Sequence, residues 1–232
     1  MKPTKRVQHQ VVLADEESAA DLDQFVGRAS QISNSSVRIV AEGTVLAVWA
    51  EVLAPRGIGD LTPTVLGFRA FRLSLSAKFD IVVPIESLRA RIANAKNEEE
   101  GLVIEMPAET PSLRWRIPLP GRDGWESLGK LTGIDLQKVA AEGMKQIKKK
   151  IPGNAEERVV RSVRSQVWGL PINDGLGLPA GVAFGLEMLG FFGEKTLDAA
   201  GNGPWLRVSS SSGDVLAKRT PVVLDTDKLK SK

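Results

Sequence analysis

The chain has 232 residues, 31 of them lysine or arginine and 28 aspartate or glutamate, with 42% hydrophobic and 25% charged residues. This is ordinary globular composition with enough chain to bury a core, and it excludes disordered, collagenous and fibrous proteins. With no cysteine and a single histidine, His9, in a polar N-terminal stretch, disulfide frameworks, thiolate metal sites and cysteine nucleophiles are excluded, and the folded part lacks the commonest general base and metal ligand.

Residues 1–10 are polar and basic, and the apolar run at 11–13 is too short for a signal-peptide core. Residues 1–14 are therefore expected to be a basic flexible arm, and the protein cytoplasmic. Asp15, Glu16 and Glu17 open a predicted helix over 15–32, where the helix dipole favours acidic residues. Leu22, Phe25, Val26, Ala29 and Ile32 recur along it at helical spacing. Asn34, Ser35 and Ser36 then break the pattern. Residues 37–40 and 44–52 predict two strands joined by a Glu42-Gly43 hairpin turn. After a loop with Pro55, Gly57, Gly59 and Pro63 come a strand over 65–75 and a short one over 81–83. Pro84 opens a helix that buries Ile85, Leu88 and Ile92. An acidic loop at 97–100 precedes a predicted hairpin of 102–106 and 113–117.

Two prolines and three glycines within 118–129 resist regular structure and mark a linker over 118–130. It divides an N-terminal α+β domain (15–117) from a C-terminal one (131–220), with a polar tail at 221–232. Asp135 starts a helix ending near Lys150, and a second helix covers 155–164, although 163–170 is equally compatible with a strand. Pro179 opens an apolar helix over 180–192. Only about 14 mostly apolar residues follow that proline, short of the roughly 20 a membrane span needs, so this helix is expected to be buried. Strands at 196–200 and 205–209 pair around Asn202-Gly203, and a turn at Ser212-Gly213-Asp214 leads into a strand over 215–219.

Signatures of catalysis are scarce. Gly175-Leu-Gly177-Leu-Pro-Ala-Gly181 departs from a dinucleotide-binding loop because its last glycine is one place late and Pro179 occupies the phosphate-binding turn. The carboxylate runs 15–17 and 98–100 lack further ligands at metal-binding spacing, and the serines at 209–212 lack a base. With no tyrosine, general acid–base chemistry is left to Asp, Glu and Lys. The expectation is a protein that is not an enzyme, with no catalytic residue, cofactor or metal.

Charge is unevenly placed. Residues 1–120 carry 14 basic and 15 acidic residues, net −1, whereas 121–232 carry 17 and 13, net +4. The excess centres on 143–164. Three lysines at the end of a helix suit its negative pole and solvent, and the same run is able to meet phosphates. The candidate nucleic-acid-binding residues are Lys138, Lys145, Lys148, Lys149, Lys150, Arg158, Arg161 and Arg164. Of the five tryptophans, Trp125 alone lies in the linker, where it pins two domains or anchors a partner. With Phe184, Met188, Phe191 and Phe192 it makes the candidate partner or interdomain contact.

The two halves repeat one order of segments. Asp21-Leu22 matches Asp135-Leu136, Val83-Pro84 matches Leu178-Pro179 (each ending a predicted strand) and Trp115 matches Trp205, at offsets of 114, 95 and 90. This order resembles the half-unit of the DNA sliding-clamp fold, carried by residues 21–32, 37–52, 80–88 and 102–118, then by 135–147, Leu178-Pro179 and 205–219. The chain is also similar to uncharacterised actinobacterial proteins. The clamp resemblance implies an α+β fold of two related subdomains, each with two helices packed on antiparallel strands, in a ring protein without catalysis. It implies helices that line a hole and turn Lys138, Lys145, Lys148, Lys149, Arg89, Arg91 and Lys96 toward DNA. The apolar helix at 180–192, with no basic residue, departs from that pattern. Expected partners are a second copy of the chain or another protein, with nucleic acid a further candidate and no membrane. Two alternatives stand beside this reading. One is a protein-only scaffold; the other is a winged-helix-like C-terminal half in which 180–192 enters the major groove, though without arginine, lysine, asparagine or glutamine to read bases.

Overall fold

A computed structural model describes residues 9–32, 36–57, 60, 62–112, 115, 118–151, 153–172 and 175–219. The first half runs β1 (Gln10–Leu13), α1 (Glu16–Ile32), β2 (Ser36–Leu53), β3 (Val65–Pro84), α2 (Ile85–Ala93), β4 (Lys96–Glu98) and β5 (Gly101–Glu105). The second runs β6 (Glu126–Thr132), α3 (Gly133–Lys150), α4 (Glu157–Gly169), α5 (Gly181–Leu189), β7 (Thr196–Asn202), β8 (Trp205–Ser210) and β9 (Gly213–Lys218). Local chemistry accounts for the element ends. The Asp15 carboxylate accepts the Ser18 N–H at 2.7 Å, satisfying a free donor at the start of α1, and Pro84 precedes the first residue of α2.

The strands form an antiparallel array in the order β4-β5-β1-β3-β9-β8-β7-β6, with β2 paired to β3. The halves join through backbone hydrogen bonding: β3 pairs with β9 from Val65↔Ala217 to Phe68↔Asp214, on the edge away from β2. The fold is α+β, with antiparallel strands on one side and helices on the other.

Several sequence expectations change. The predicted turn at Glu42-Gly43 lies inside one long strand, because Gly43, at φ 61°, forms a bulge that β2 passes through. The predicted strands 65–75 and 81–83 are likewise one strand, β3. The expected arm at 1–14 ends earlier, since β1 buries Val11, Val12 and Leu13. The expected acidic loop supplies β4, which pairs with β5. Glu157–Gly169 form one helix, α4, so the strand alternative is excluded and the second half has a third helix. Leu178 ends no strand; Pro179 makes only an isolated bridge to Pro171. The expected linker over 118–130 is interrupted by a strand, because β6 (Glu126–Thr132) begins inside it and pairs with β7. Of the strand expected at 113–117 only Trp115 is described, and the tail at 221–232 lies outside the described residues.

The core lies between the helices and the sheet, and α5 is its centre. Val182, Ala183, Leu186 and Leu189 are at most 1% exposed. The helix contacts α1, α3, α4, β2, β3 and β9. The winged-helix alternative is thereby corrected, because the helix that would enter a DNA groove is buried. Arg28 of α1 donates from Nη1 to the Leu189 carbonyl at 2.9 Å, placing a cation at the negative end of α5 and tying the halves together. No helix among the described residues is long and apolar enough to cross a membrane.

Trp168 of α4 is fully buried, and its ring lies where a side chain at Gly143 of α3 would stand. A Cβ built there would be 2.1 Å from the ring. Alanine favours helix over glycine by about 1 kcal/mol, but overpacking costs about 1–3 kcal/mol. Gly143→Ala is therefore expected to lower the thermal midpoint; an unchanged or raised midpoint would show that α3 and α4 separate freely.

Candidate functional site

The sheet has a second face, away from the helices, and its chemistry follows from strand alternation. Along β3, odd residues such as Val65, Phe71, Ile81 and Val83 enter the main core, while Leu66, Phe68, Asp80 and Val82 point the other way. On β2 the parity changes at the Gly43 bulge. Val37, Ile39 and Ala41 face the helices before it, and Leu46, Val48, Ala50 and Val52 after it. The opposite set, Val40, Ala47 and Trp49, joins Leu66, Trp115, Trp205 and Leu216 in a second apolar cluster.

Residues 119–125 cross this cluster and leave a groove of about 460 Å³. Its floor includes Val40, Ala47, Trp49, Phe68 and Leu216, and both halves of the chain contribute. The Trp49 and Phe68 rings pack at 4.4 Å between centroids. On one wall Arg38 forms a bidentate pair with Asp80, at 2.8 and 2.6 Å, and donates to the Trp115 carbonyl at 3.0 Å. On the other wall the Arg207 guanidinium carbon lies 4.3 Å from the centre of the Trp125 ring. The Trp125 indole N–H donates to the Gly121 carbonyl at 3.0 Å. Arg207 Nε is buried and has no hydrogen-bond partner among the described residues. Beside it, burial raises the Asp214 carboxyl above its ordinary range, an effect that Ser209 and Arg207 only partly offset. The groove thus combines an apolar floor with a buried donor that lacks an acceptor.

The sequence-predicted residues fall into three places. Trp125 is at the groove and contacts the second apolar cluster. Phe184 and Phe191 are buried inside the chain: Phe191 stacks on Phe25 of α1 at 5.9 Å, and Phe184 on Trp168 at 4.6 Å. Met188 and Phe192 are partly buried against the same core. Lys145, Lys148, Lys149 and Lys150 are exposed on the last turns of α3, and Lys138 pairs with Asp135 at 3.0 Å. Arg158, Arg161 and Arg164 lie apart from those lysines, on α4. Among the clamp-implied residues of α2, Arg89 pairs with Asp23 at 3.0 Å and Arg91 with Glu105 at 2.9 Å, so both are engaged within the first half. Arg38, Trp49, Phe68, Arg207 and Asp214 were not singled out from sequence. Their signal was the nearly unbroken apolar run at 45–53, which marks a strand covered on both faces. Among the described residues no cluster of His, Cys, Asp or Glu is arranged to hold a metal.

Comparison with known proteins places this geometry in a class. Residues 7–115 match the family model described as Domain of unknown function (DUF8010), and residues 120–222 match Domain of unknown function (DUF8185). No curated protein matches the sequence. Among solved structures the chain is similar to Caulobacter crescentus pol III beta, with 12% identity and a TM-score of 0.52 over 95% of this chain and 68% of that one. It is similar to the DNA polymerase sliding clamp from Caulobacter crescentus, with 13% identity and a TM-score of 0.50 over 97% and 69%. A putative DNA polymerase III beta subunit from Eubacterium rectale gives 10% identity and a TM-score of 0.51 over 96% and 68%. At such identities the likeness is one of fold: the chain has a sliding-clamp-like architecture, and it spans about two thirds of each of those clamp chains.

Asp214 makes the site's electrostatics measurable. Its folded carboxyl titrates above the ordinary value of 3.8, so the folded state holds the proton more tightly than the unfolded chain. That contribution to stability is present at low pH and is lost as pH rises from about 3.8 through the raised value. The thermal midpoint of Asp214→Asn relative to the parent is expected to increase with pH over this window. A difference that stays flat would show that Asp214 ionises as it does in the unfolded chain.

Proposed function

We propose that the protein is a non-catalytic, clamp-like scaffold that holds an extended segment of a partner protein in the groove beneath residues 119–125. The observation that carries this reading is the pairing, in one groove, of the apolar floor with the Arg207 guanidinium on its wall. An apolar side chain next to a carboxylate would cover the first and pair with the second, and charge-assisted hydrogen bonds are the stronger kind. The sheet edges support an oligomer. β6 and β4 end the strand order, and exposed edges are open to pairing with another chain. Closure of several copies into a ring is the arrangement that the clamp-like fold favours.

Nucleic acid is the second reading, favoured by the exposed Lys145 and Lys148–Lys150, for which no carboxylate partner occurs among the described residues. Such contact would be sequence-independent and salt-dependent.

Three measurements test these statements. Light scattering over a concentration series is expected to give a stable species near three times 25.0 kDa; a monomer throughout would remove the ring. A displayed peptide library is expected to yield sequences with an apolar residue beside Asp or Glu, and Arg207→Gln is expected to weaken them about tenfold, roughly the 1.4 kcal/mol of one such hydrogen bond. Failure to enrich any sequence would overturn the groove as a docking site. Reversal of charge in Lys148→Glu, Lys149→Glu and Lys150→Glu together is expected to abolish salt-sensitive binding to duplex DNA. Undiminished binding would remove the lysine run from the nucleic-acid reading.

A further inference from the structure

A second concentration of charge lies on the helix side of the molecule, apart from both the groove and the lysine run. Arg158, Arg161, Ser162 and Ser165 recur at helical spacing on α4 and face the loop that carries Arg56 and Asp60. Together they line an open recess of about 810 Å³. Its deeper, adjoining pocket holds Arg164, whose guanidinium stacks over the Phe184 ring at 5.6 Å.

The charges in this recess are only partly neutralised, with Asp60 close enough to Arg161 for the two charges to interact. Arg56 pairs with the buried Glu51 at 3.3 Å, and Arg161 with the exposed Glu157 at 3.3 Å. Asp60 is occupied by its own loop, accepting from the backbone N–H groups of Arg56 and Thr62 at 2.9 Å each. Among the described residues, Arg158 and Arg164 have no carboxylate partner. Burial, and to a lesser degree the neighbouring charge of Arg56, push the Arg164 guanidinium in the adjoining pocket below its ordinary value.

We propose that this recess binds a compact, multiply charged oxyanion of the phosphate class, held by Arg158 and Arg161 with Ser162 and Ser165 as hydroxyl donors. Guanidinium groups match the tetrahedral oxygens of a phosphoryl group through paired N–H donors. A compact anion fits better than a nucleic-acid strand because the cations gather at a recess, whereas a strand needs a continuous basic track. The site is separate from the protein-docking groove and from the α3 lysines, so its failure leaves both of those readings standing.

The test is titration of the intact protein with inorganic pyrophosphate at low salt, followed by calorimetry and by the arginine Nε–H resonances. One-to-one binding that shifts the Arg158 and Arg161 resonances is expected. Arg158→Gln combined with Arg161→Gln, at two exposed positions, should weaken binding at least about tenfold with an unchanged thermal midpoint. The triple lysine-to-glutamate variant of α3 should bind pyrophosphate within about twofold of the parent. Absence of binding, or equal loss in the lysine variant, would overturn the site as a specific one. Tighter, Arg158- and Arg161-dependent binding of duplex DNA that displaces pyrophosphate would overturn the compact ligand in favour of a nucleic-acid track. Should the double glutamine variant fail to fold, the resonance shifts in the parent protein decide alone.

Discussion

The structure depends on the burial of one short helix, α5, between two halves that share a sheet. Its apolar residues cover almost its whole circumference, and such a helix is stable in water only when it is enclosed. Enclosure is supplied by α1 on one side, α3 and α4 on another, and the junction of β2, β3 and β9 beneath. Each large side chain it buries contributes about 1.5–3 kcal/mol relative to exposure. The β3–β9 pairing places those surfaces round the helix, so helix burial and sheet continuity support each other. Neither half encloses α5 alone.

That junction also creates the other face of the sheet. The bulge at Gly43 changes which side chains of β2 face the helices, and with them which ones remain for the second cluster. Continuing β3 into β9 then sets Trp49 and Phe68 in the same groove as Leu216 and Arg207. The chain segment between the halves covers this surface only in part. Trp125 is held by Arg207 and by its indole N–H, which donates to the Gly121 carbonyl, so the segment rests on the sheet while leaving apolar floor accessible. The groove is thus a consequence of how the halves join.

The positive charge that the sequence concentrates between 143 and 164 is divided by the fold. The lysines finish α3 in solvent, suited to weak, screened contact with an extended anion. The arginines stand on α4, where Arg158 and Arg161 line an open recess and Arg164, in the adjoining pocket, is partly desolvated. Arginine tolerates such a setting better than lysine because its charge is delocalised and its donors are fixed in a plane. Similar net charge is therefore set in two different surroundings, exposed at the end of α3 and partly desolvated on α4.

Sequence alone determined the local elements and the character of α5. Acidic residues and apolar spacing mark α1, Pro84 precedes α2, Asn202-Gly203 turns β7 into β8, and an apolar run with a single charge at Glu187 requires a buried helix. These features rest on interactions between near neighbours, so they are legible in order along the chain. The recurrence of segments also carried the clamp resemblance. The tertiary structure decided whether Glu42-Gly43 is a turn or a bulge, because a long partner strand holds β2 extended through that point. It decided that residues 163–169 are helical, because Val167 and Trp168 are buried on one side of α4 against α3 and α5. It also decided the candidate site: Trp49, Phe68 and Arg207 are distant in sequence, and only the hydrogen bonds between β3 and β9 bring them to one groove.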